Sequence, residues 1–381
     1  MLITESSELA DFCAALRSAP YIAVDTEFLR ERTYHPKWCL VQIAHGDHAA
    51  AIDPLAKGID LAPLRELLLD KSITKVLHAA TQDLEIFLQH FGAVPTPIFD
   101  TQLAAAVCNL GEQPGYAKLV QSLLGIQLDK TSQATDWALR PLSNRQITYA
   151  IGDVTHLCKV YELLVEKLNE TDRHAWVEKD MTQLEDPSRY VVNPDEAYKR
   201  IKIRYPKRKA LMVLKELAAW RERTAVKRDK PRPWIVRDDA MIEIANHCPT
   251  DMKALGRVRR LNTNKADCEK ILAAVQRALA TPREEWPTVP KKKSSNTDDS
   301  LVSLLQALLR FRCDEHGVAM NLVATRPDLD KLASQEDPNV PAMHGWRHDV
   351  FGADAMALRE GRLALTVQKG KVVAVKLDAT P

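Results

Sequence analysis

Apart from the last few residues, the strand-like sequence of this chain is confined to its first 80 positions, and the remainder is helical. Four short β-rich runs, YIAVDTEF (21–28), CLVQIAHG (39–46), AAAID (49–53) and ITKVLHA (73–79), are separated by turn or charged segments and read as strands of one sheet. From Thr81 apolar residues recur at helical spacing in TQDLEIFLQHFG, DTQLAAAVCNL and YAKLVQSLLG, then in a long amphipathic stretch from Asn144 to about Asn169. Ser143 followed three residues later by Gln146 matches a capping box and marks where that last helix starts, with Pro141 just upstream. Strands first and helices after imply an α/β domain over residues 1–170.

A chain of 381 residues is about two to three times the usual single-domain size, so two or three cores are expected. After a connecting segment (171–206) come two helical stretches, 207–285 and 299 onward. Between them TPREEWPTVPKKKSSNTDD has linker chemistry, which puts a linker at 286–298. The tail TVQKGKVVAVKLDATP, with Lys-Gly between two Val-containing runs, fits a short hairpin or an ordered end strand. No apolar run reaches the roughly 18 to 20 residues of a membrane span, and the N-terminus has no apolar h-region, so the cytoplasm is the expected location. Seven cysteines without a C-x-x-C pair read as reduced thiols. Neither G-x-x-x-x-G-K-[ST], G-x-G-x-x-G nor G-x-S-x-G occurs, which argues against a nucleotide-driven motor, a nucleotide cofactor and acyl-transfer chemistry.

Charge is divided along the chain. Residues 1–170 carry 14 Lys/Arg against 21 Asp/Glu, and the remainder 39 against 30, although the whole chain is nearly neutral at +2. Within Lys199–Arg237 there are 15 basic and 3 acidic side chains, a density suited to phosphate contacts and counterion release, though a solvated basic helix has the same composition.

Three local patterns carry chemistry. Asp25-Thr26-Glu27 interrupts an apolar strand; alternation puts both acids on one face, about 7 Å apart, with Ile22, Val24 and Phe28 on the other. Two like charges so placed repel unless a cation such as magnesium or manganese neutralises them, whereas at an exposed strand end they would be harmless. Asp83 falls in the first turn of a helix just after a strand, where the helix dipole alone would favour an acid. Tyr149 and Asp153 stack on one helix face at i and i+4, as a surface pair also would.

In combination and in this order, the strand D-x-E, the helix-start Asp and the helical Y-x-x-x-D resemble the three exonuclease motifs of the DEDD superfamily, the Tyr indicating its DEDDy branch. The likeness extends through VDTEFLRERTYHPKWCLVQIA, HAATQDLEIFLQHFG, FDTQLAAAVC and LDKTSQATDWALRPLSNRQITYAIGDV, which together resemble the ribonuclease D family across nearly all of residues 1–170. KALMVLKELAAWRERTAVKRDKPRPWIVRDDAMIEIA resembles an HRDC domain (207–285). SLLQALLRFRCDEHGVAMNLVATRPDLDKLAS resembles a second, diverged copy (299–381), and GWRHDVFGADAMALREGRLAL looks like the C-terminal end of that family.

The resemblance implies a ribonuclease-H-like α/β catalytic domain with a mixed sheet, followed by two small all-α HRDC-like domains. It further implies that Asp25, Glu27, Asp83 and Asp153 hold two divalent metal ions (Mg2+ or Mn2+) and that Tyr149 positions the attacking water. By the same analogy Phe28, Leu29, His78, Lys130 and Trp137 contact the terminal nucleotides, while Lys207, Arg208 and Lys209 contact phosphates. Trp220 and Trp234 are expected to pack in the core. The expected activity is 3′→5′ exoribonuclease release of nucleoside 5′-monophosphates, with transfer RNA precursors bearing a single-stranded 3′ end as partner, no membrane, and a monomeric enzyme. A proofreading-type DNA exonuclease and an inactive RNA-binding scaffold are the competing readings.

Overall fold

The computed structural model describes residues 1–129, 135–289 and 298–377. The first domain runs β1 (Leu2–Ile3), α1 (Ser6–Ala15), β2 (Tyr21–Leu29), β3 (Lys37–His45), β4 (His48–Ile52), α2 (Ala62–Leu69), β5 (Thr74–Leu77), α3 (Thr81–Phe91), β6 (Ile98–Asp100), α4 (Thr101–Val107), α5 (Tyr116–Leu124), α6 (Asn144–Glu170) and α7 (His174–Leu184). Its mixed sheet has the order β1-β4-β3-β2-β5-β6, antiparallel through β4, β3 and β2 and parallel across β2, β5 and β6. β1 and β6 are two and three residues long, too short to show alternation in sequence.

Period-2 alternation in central β2 separates two cores. Ile22 and Val24 pack with Leu64 and Leu67 of α2 and with Leu84, Ile86 and Phe87 of α3. Tyr21 and Ala23 face the other way, onto Val154, Leu157 and Val160 of α6. Helices therefore cover both faces of the sheet. The capping box of Ser143 and Gln146 starts α6. Buried Lys75 on β5 is satisfied by carbonyls: its Nζ donates to Asp70 O (2.7 Å), Ile73 O (2.6 Å) and Thr96 O, and burial pulls its pKa down to about 8.

The first helical unit comprises α8 (Arg208–Arg228), α9 (Arg232–Ile235), α10 (Asp238–His247), α11 (Met252–Leu255) and α12 (Lys265–Ala280) around Val213, Leu217, Met241, Ile244, Ile271 and Val275. The preceding segment is shared: α7 packs on the first domain, while Ala197 and Ile201 enter this helical core. The second unit contains α13 (Asp299–His316), α14 (Met320–Val323), α15 (Arg326–Ser334) and α16 (Ala353–Arg359). At Gly352 a Cβ would lie 1.9 Å from the Ala342 carbonyl oxygen, so only glycine permits that approach. The tail forms a hairpin, β7 (Leu363–Gln368) and β8 (Lys371–Lys376), turning on Lys369 and Gly370, both at positive φ. Among the described residues no helix is long and apolar enough to cross a membrane.

Both helical units seat on the first domain. Asp229, the left-handed residue ending α8, accepts the backbone N–H groups of Tyr34 and His35 (3.0 Å each) from the loop after β2. The Tyr34 hydroxyl donates to buried Glu222, which also receives two hydrogen bonds from Arg232. At the second unit, Arg173 donates to Val107 O at the end of α4 (2.9 Å) and to Gly317 O (3.1 Å) and His316 O at the end of α13. Trp176 and Trp346 stack beside it, centroids 4.4 Å apart.

Candidate active site

β2 pairs with β5 only from Tyr21 to Ala23; β5 then turns away into α3, vacating the space beside Asp25. That turn passes through Ala79 at φ 55, an unusual conformation for a residue with a side chain. Buried Asp100 holds it there, its carboxylate accepting from Ala79 N (3.2 Å), Ala80 N (3.0 Å) and Gln102 N (2.8 Å). The first turn of α3 thereby carries Asp83 alongside β2, where the Thr26 hydroxyl donates to its Oδ1 at 2.5 Å. A β-bulge at Glu27/Phe28 breaks the β2–β3 register directly after the acids.

From the opposite face α6 delivers Tyr149 and Asp153. Its entry is fixed by Arg140, which pairs with both oxygens of Asp53 (2.6 Å each) and donates to Cys39 O and Trp137 O (2.7 Å each). Asp25, Glu27 and Asp153 each offer a carboxylate oxygen, all within 4.8 Å of one another. Asp83 stands beside this trio rather than within it, close enough for its charge to act on Glu27 and for that of Asp25 to act on it. The Tyr116 hydroxyl of α5 donates to the Asp153 carbonyl.

Burial pushes all four acids up, and repulsion from neighbouring acids adds to it for Asp25, Glu27 and Asp83. Asp25 rises to about 7, from burial and then the Asp153 charge. Asp153 also rises to about 7 by burial, restrained by the Tyr149 hydroxyl. Asp83 reaches about 8, through burial and Asp25, and Glu27 about 9, through burial and then Asp25, Asp153 and Asp83. Among the described residues no basic side chain offsets these shifts. Converging oxygen donors with uncompensated repulsion are the donor chemistry that hard divalent cations prefer. The Tyr149 phenol is pushed well above its ordinary value by burial and the neighbouring acids, so it stays protonated.

Phe28 packs against the α3-side core and Leu29 against a cluster around Trp137. His78 is half-buried, its Nδ1 3.0 Å from Thr101 Oγ1, and burial lowers its pKa. Lys130 lies outside the described residues. Trp137 requires a correction: only 2% exposed, it cannot lie against a nucleotide, and instead packs behind Tyr149 with ring centroids 6.1 Å apart. Lys207, Arg208 and Lys209 are exposed at the start of α8, but Arg208 also donates to Arg283 O (2.8 Å) and Trp286 O (2.9 Å). Trp220 packs against the first helical core, whereas Trp234 is 58% exposed, contrary to the expected core position. Thr26, Asp100 and Tyr116 support the site although none is one of the acids or the tyrosine of the three sequence patterns; of these only Asp100 has a visible signal of its own, an acid directly before the helical run TQLAAAV.

Comparison with known proteins accords with this geometry. A 3′-5′ exonuclease family model matches residues 1–169 and an HRDC domain model residues 210–275. Ribonuclease D of Granulibacter bethesdensis is 44% identical, covering 96% of this chain and 94% of its own length; that of Sphingobium indicum is 45% identical, covering 97% of each. The crystal structure of Escherichia coli RNase D, described as an exoribonuclease involved in structured RNA processing, superposes with a TM-score of 0.81 at 31% identity, over 95% of this chain and 98% of that one. The chain belongs to the ribonuclease D family of 3′→5′ exoribonucleases.

Proposed function

We propose that this exoribonuclease trims structured RNAs, transfer RNA precursors above all, from a short single-stranded 3′ end, as a cytoplasmic monomer using two divalent ions, Mg2+ or Mn2+. The observation that carries the reading is the convergence of Asp25, Glu27 and Asp153 oxygens within 4.8 Å, with Asp83 held beside them. The structured-RNA role of the Escherichia coli relative supports the substrate class, and seven free cysteines fit a reducing compartment.

Asp25, Glu27, Asp83 and Asp153 would hold the ions, which when bound supply Lewis-acid activation of water and stabilisation of the leaving 3′-oxygen. Tyr149, kept protonated, orients the water through its hydroxyl rather than abstracting a proton. Phe28 and Leu29 contact the terminal base and sugar from the bulged end of β2. His78, neutral at pH 7, hydrogen-bonds the terminal nucleotides without charge, and Lys130 adds a phosphate contact. Lys207, Arg208 and Lys209 bind phosphates further along the strand, with Arg208 also tying α8 to the segment after α12.

The test is a time course on 5′-labelled transfer RNA precursors and matched RNA and DNA, each with a free 3′ tail, in Mg2+, Mn2+ or chelator. A ladder shortening from the 3′ end of the RNAs, and lost with chelator, is expected. Equal trimming of DNA would overturn the substrate class, and binding without shortening in either metal would overturn the catalytic reading.

A further inference from the structure

Between the loop that leaves β2 and the first helical unit lies a cavity of about 790 Å³ walled by five guanidinium groups, Arg30, Arg200, Arg221, Arg232 and Arg237. Asp238 and Asp239 are the acids on its wall; Glu85 and Glu222 lie behind, paired with Arg30 and Arg232. These pairs fix the guanidinium planes in position. One of the five retains binding capacity: Arg200 has no ion-pair partner among the described residues, whereas Arg221, 5% exposed, is held by Asp238 (2.6 Å) and Val236 O (3.0 Å).

Trp234 belongs to the α8–α10 connection that forms part of this wall. Its exposure is built in. Pro231 and Pro233 fix the backbone that leads into it, and the Trp234 backbone N–H donates to Pro231 O at 2.8 Å. The next two residues, Ile235 and Val236, are buried in the helical core. The connection is thus anchored on both sides while presenting an indole outward, with the Lys230 ammonium 5.7 Å from the ring centroid. A rigid aromatic face beside cations is the arrangement by which proteins hold single-stranded nucleic acid, the ring taking a base and the cations its phosphates. Through Arg232, which donates to the Tyr34 hydroxyl at 2.9 Å, it is joined to the loop leaving the acid-bearing strand.

We propose that Trp234 and the adjoining arginine-walled cavity form a second nucleotide-binding site, stacking one base and holding the phosphates of the RNA strand upstream of the nucleotide being hydrolysed. This rests on the reading of the acidic cluster as the hydrolytic site and extends it to where the rest of the strand lies.

Binding of 3′-labelled oligoadenylates of three and twelve nucleotides to the full chain, in chelator so that nothing is hydrolysed, tests it. Trp234→Ala is expected to weaken the twelve-mer about tenfold while leaving the trimer's weaker affinity unmoved, and Trp234→Phe to restore most of the loss. Arg200→Ala should weaken the twelve-mer by a few-fold and reduce the salt slope of binding by about one. Unchanged twelve-mer affinity in Trp234→Ala, or an equal loss for the trimer, would overturn the site. Failure of the underlying reading looks different: wild type would bind the twelve-mer with the same dependence on Trp234 but would not shorten it when metal is added.

Discussion

The Thr26 hydroxyl donates to Asp83 at 2.5 Å from the face of β2 opposite to Asp25 and Glu27, so all three residues of D-T-E serve the same site from two sides of one strand. The bond favours the ionised form of Asp83 against burial and the charge of Asp25. Thr26→Val should leave the buried carboxylate without this partner, costing about 1–2 kcal/mol of stability and lowering turnover about tenfold. The pH–rate profile should shift upward, and Thr26→Ser should recover most of it. A variant with wild-type rates and an unmoved profile would reduce Thr26 to packing.

Asp25→Asn and Asp153→Asn should each reduce nucleotide release by about a thousandfold while the chelated protein melts no lower than wild type, because each removes a charge from a mutually repelling group. Near-normal turnover in either variant would sink the assignment of these acids to metal binding.

Stability should depend on pH in a direction set by the raised carboxylates. A carboxyl whose folded pKa exceeds its unfolded value of about 4 stabilises the fold while protonated, a contribution lost as pH rises through the folded value. With folded values of about 7, 7, 8 and 9, the chelated protein should lose stability from this cluster across roughly pH 5 to 9. Added Mg2+ or Mn2+ should raise the melting temperature by an increment that grows over the same range. Paired melting curves with metal and chelator read this directly; an increment that shrinks towards pH 9 would contradict it.

Arg232→Ala removes the cation from Glu222, which is only 1% exposed. Burial raises the Glu222 pKa, but the hydrogen bonds from Arg232 and Tyr34 outweigh it and hold the carboxyl below its usual range. The substitution should cost about 3 kcal/mol in urea unfolding. Tyr34→Phe, which leaves that ion pair intact, should cost about 1 kcal/mol. Equal losses would mean the ion pair itself contributes little.

Neutralising Lys207 and Lys209 together, leaving Arg208 to its carbonyl partners, should weaken RNA binding and flatten its salt slope by about two. An unchanged slope would assign both lysines to a solvated face.

What could be read in the sequence was what period and spacing encode. The four longer strands, the alternation that divides β2 between two cores, and the start of α6 at Ser143 all obey local rules. β1 and β6 escaped because two or three residues carry no period. The clustering of Asp25, Glu27 and Asp153 was legible through motif order, but the residues that support it were not. Thr26 is hidden between two acids, and Tyr116 reaches Asp153 from 37 positions away. Trp137 and Trp234 exchange their expected environments for a reason no local pattern states. Trp137 lies between the sheet and α6, whereas Trp234 directly follows Pro233 on a connection whose anchoring is done by Ile235 and Val236. The docking of the helical units depends on single residues such as Tyr34, whose partners lie nearly 200 positions away.

Arg173 closes the carbonyl ends of two helices, α4 and α13, that belong to different parts of the chain. Were the second helical unit to unfold by itself, that guanidinium would lose its α13 carbonyls, the Trp346 ring would leave Trp176, and the backbone bond from Ala319 to Ala106 would break. Local melting of the second helical unit is therefore coupled to the domain that carries the acids, and calorimetry should register their unfolding as one cooperative transition. By this measure the cooperative unit extends beyond the catalytic domain, and what holds the second helical unit in place is its seat on that domain.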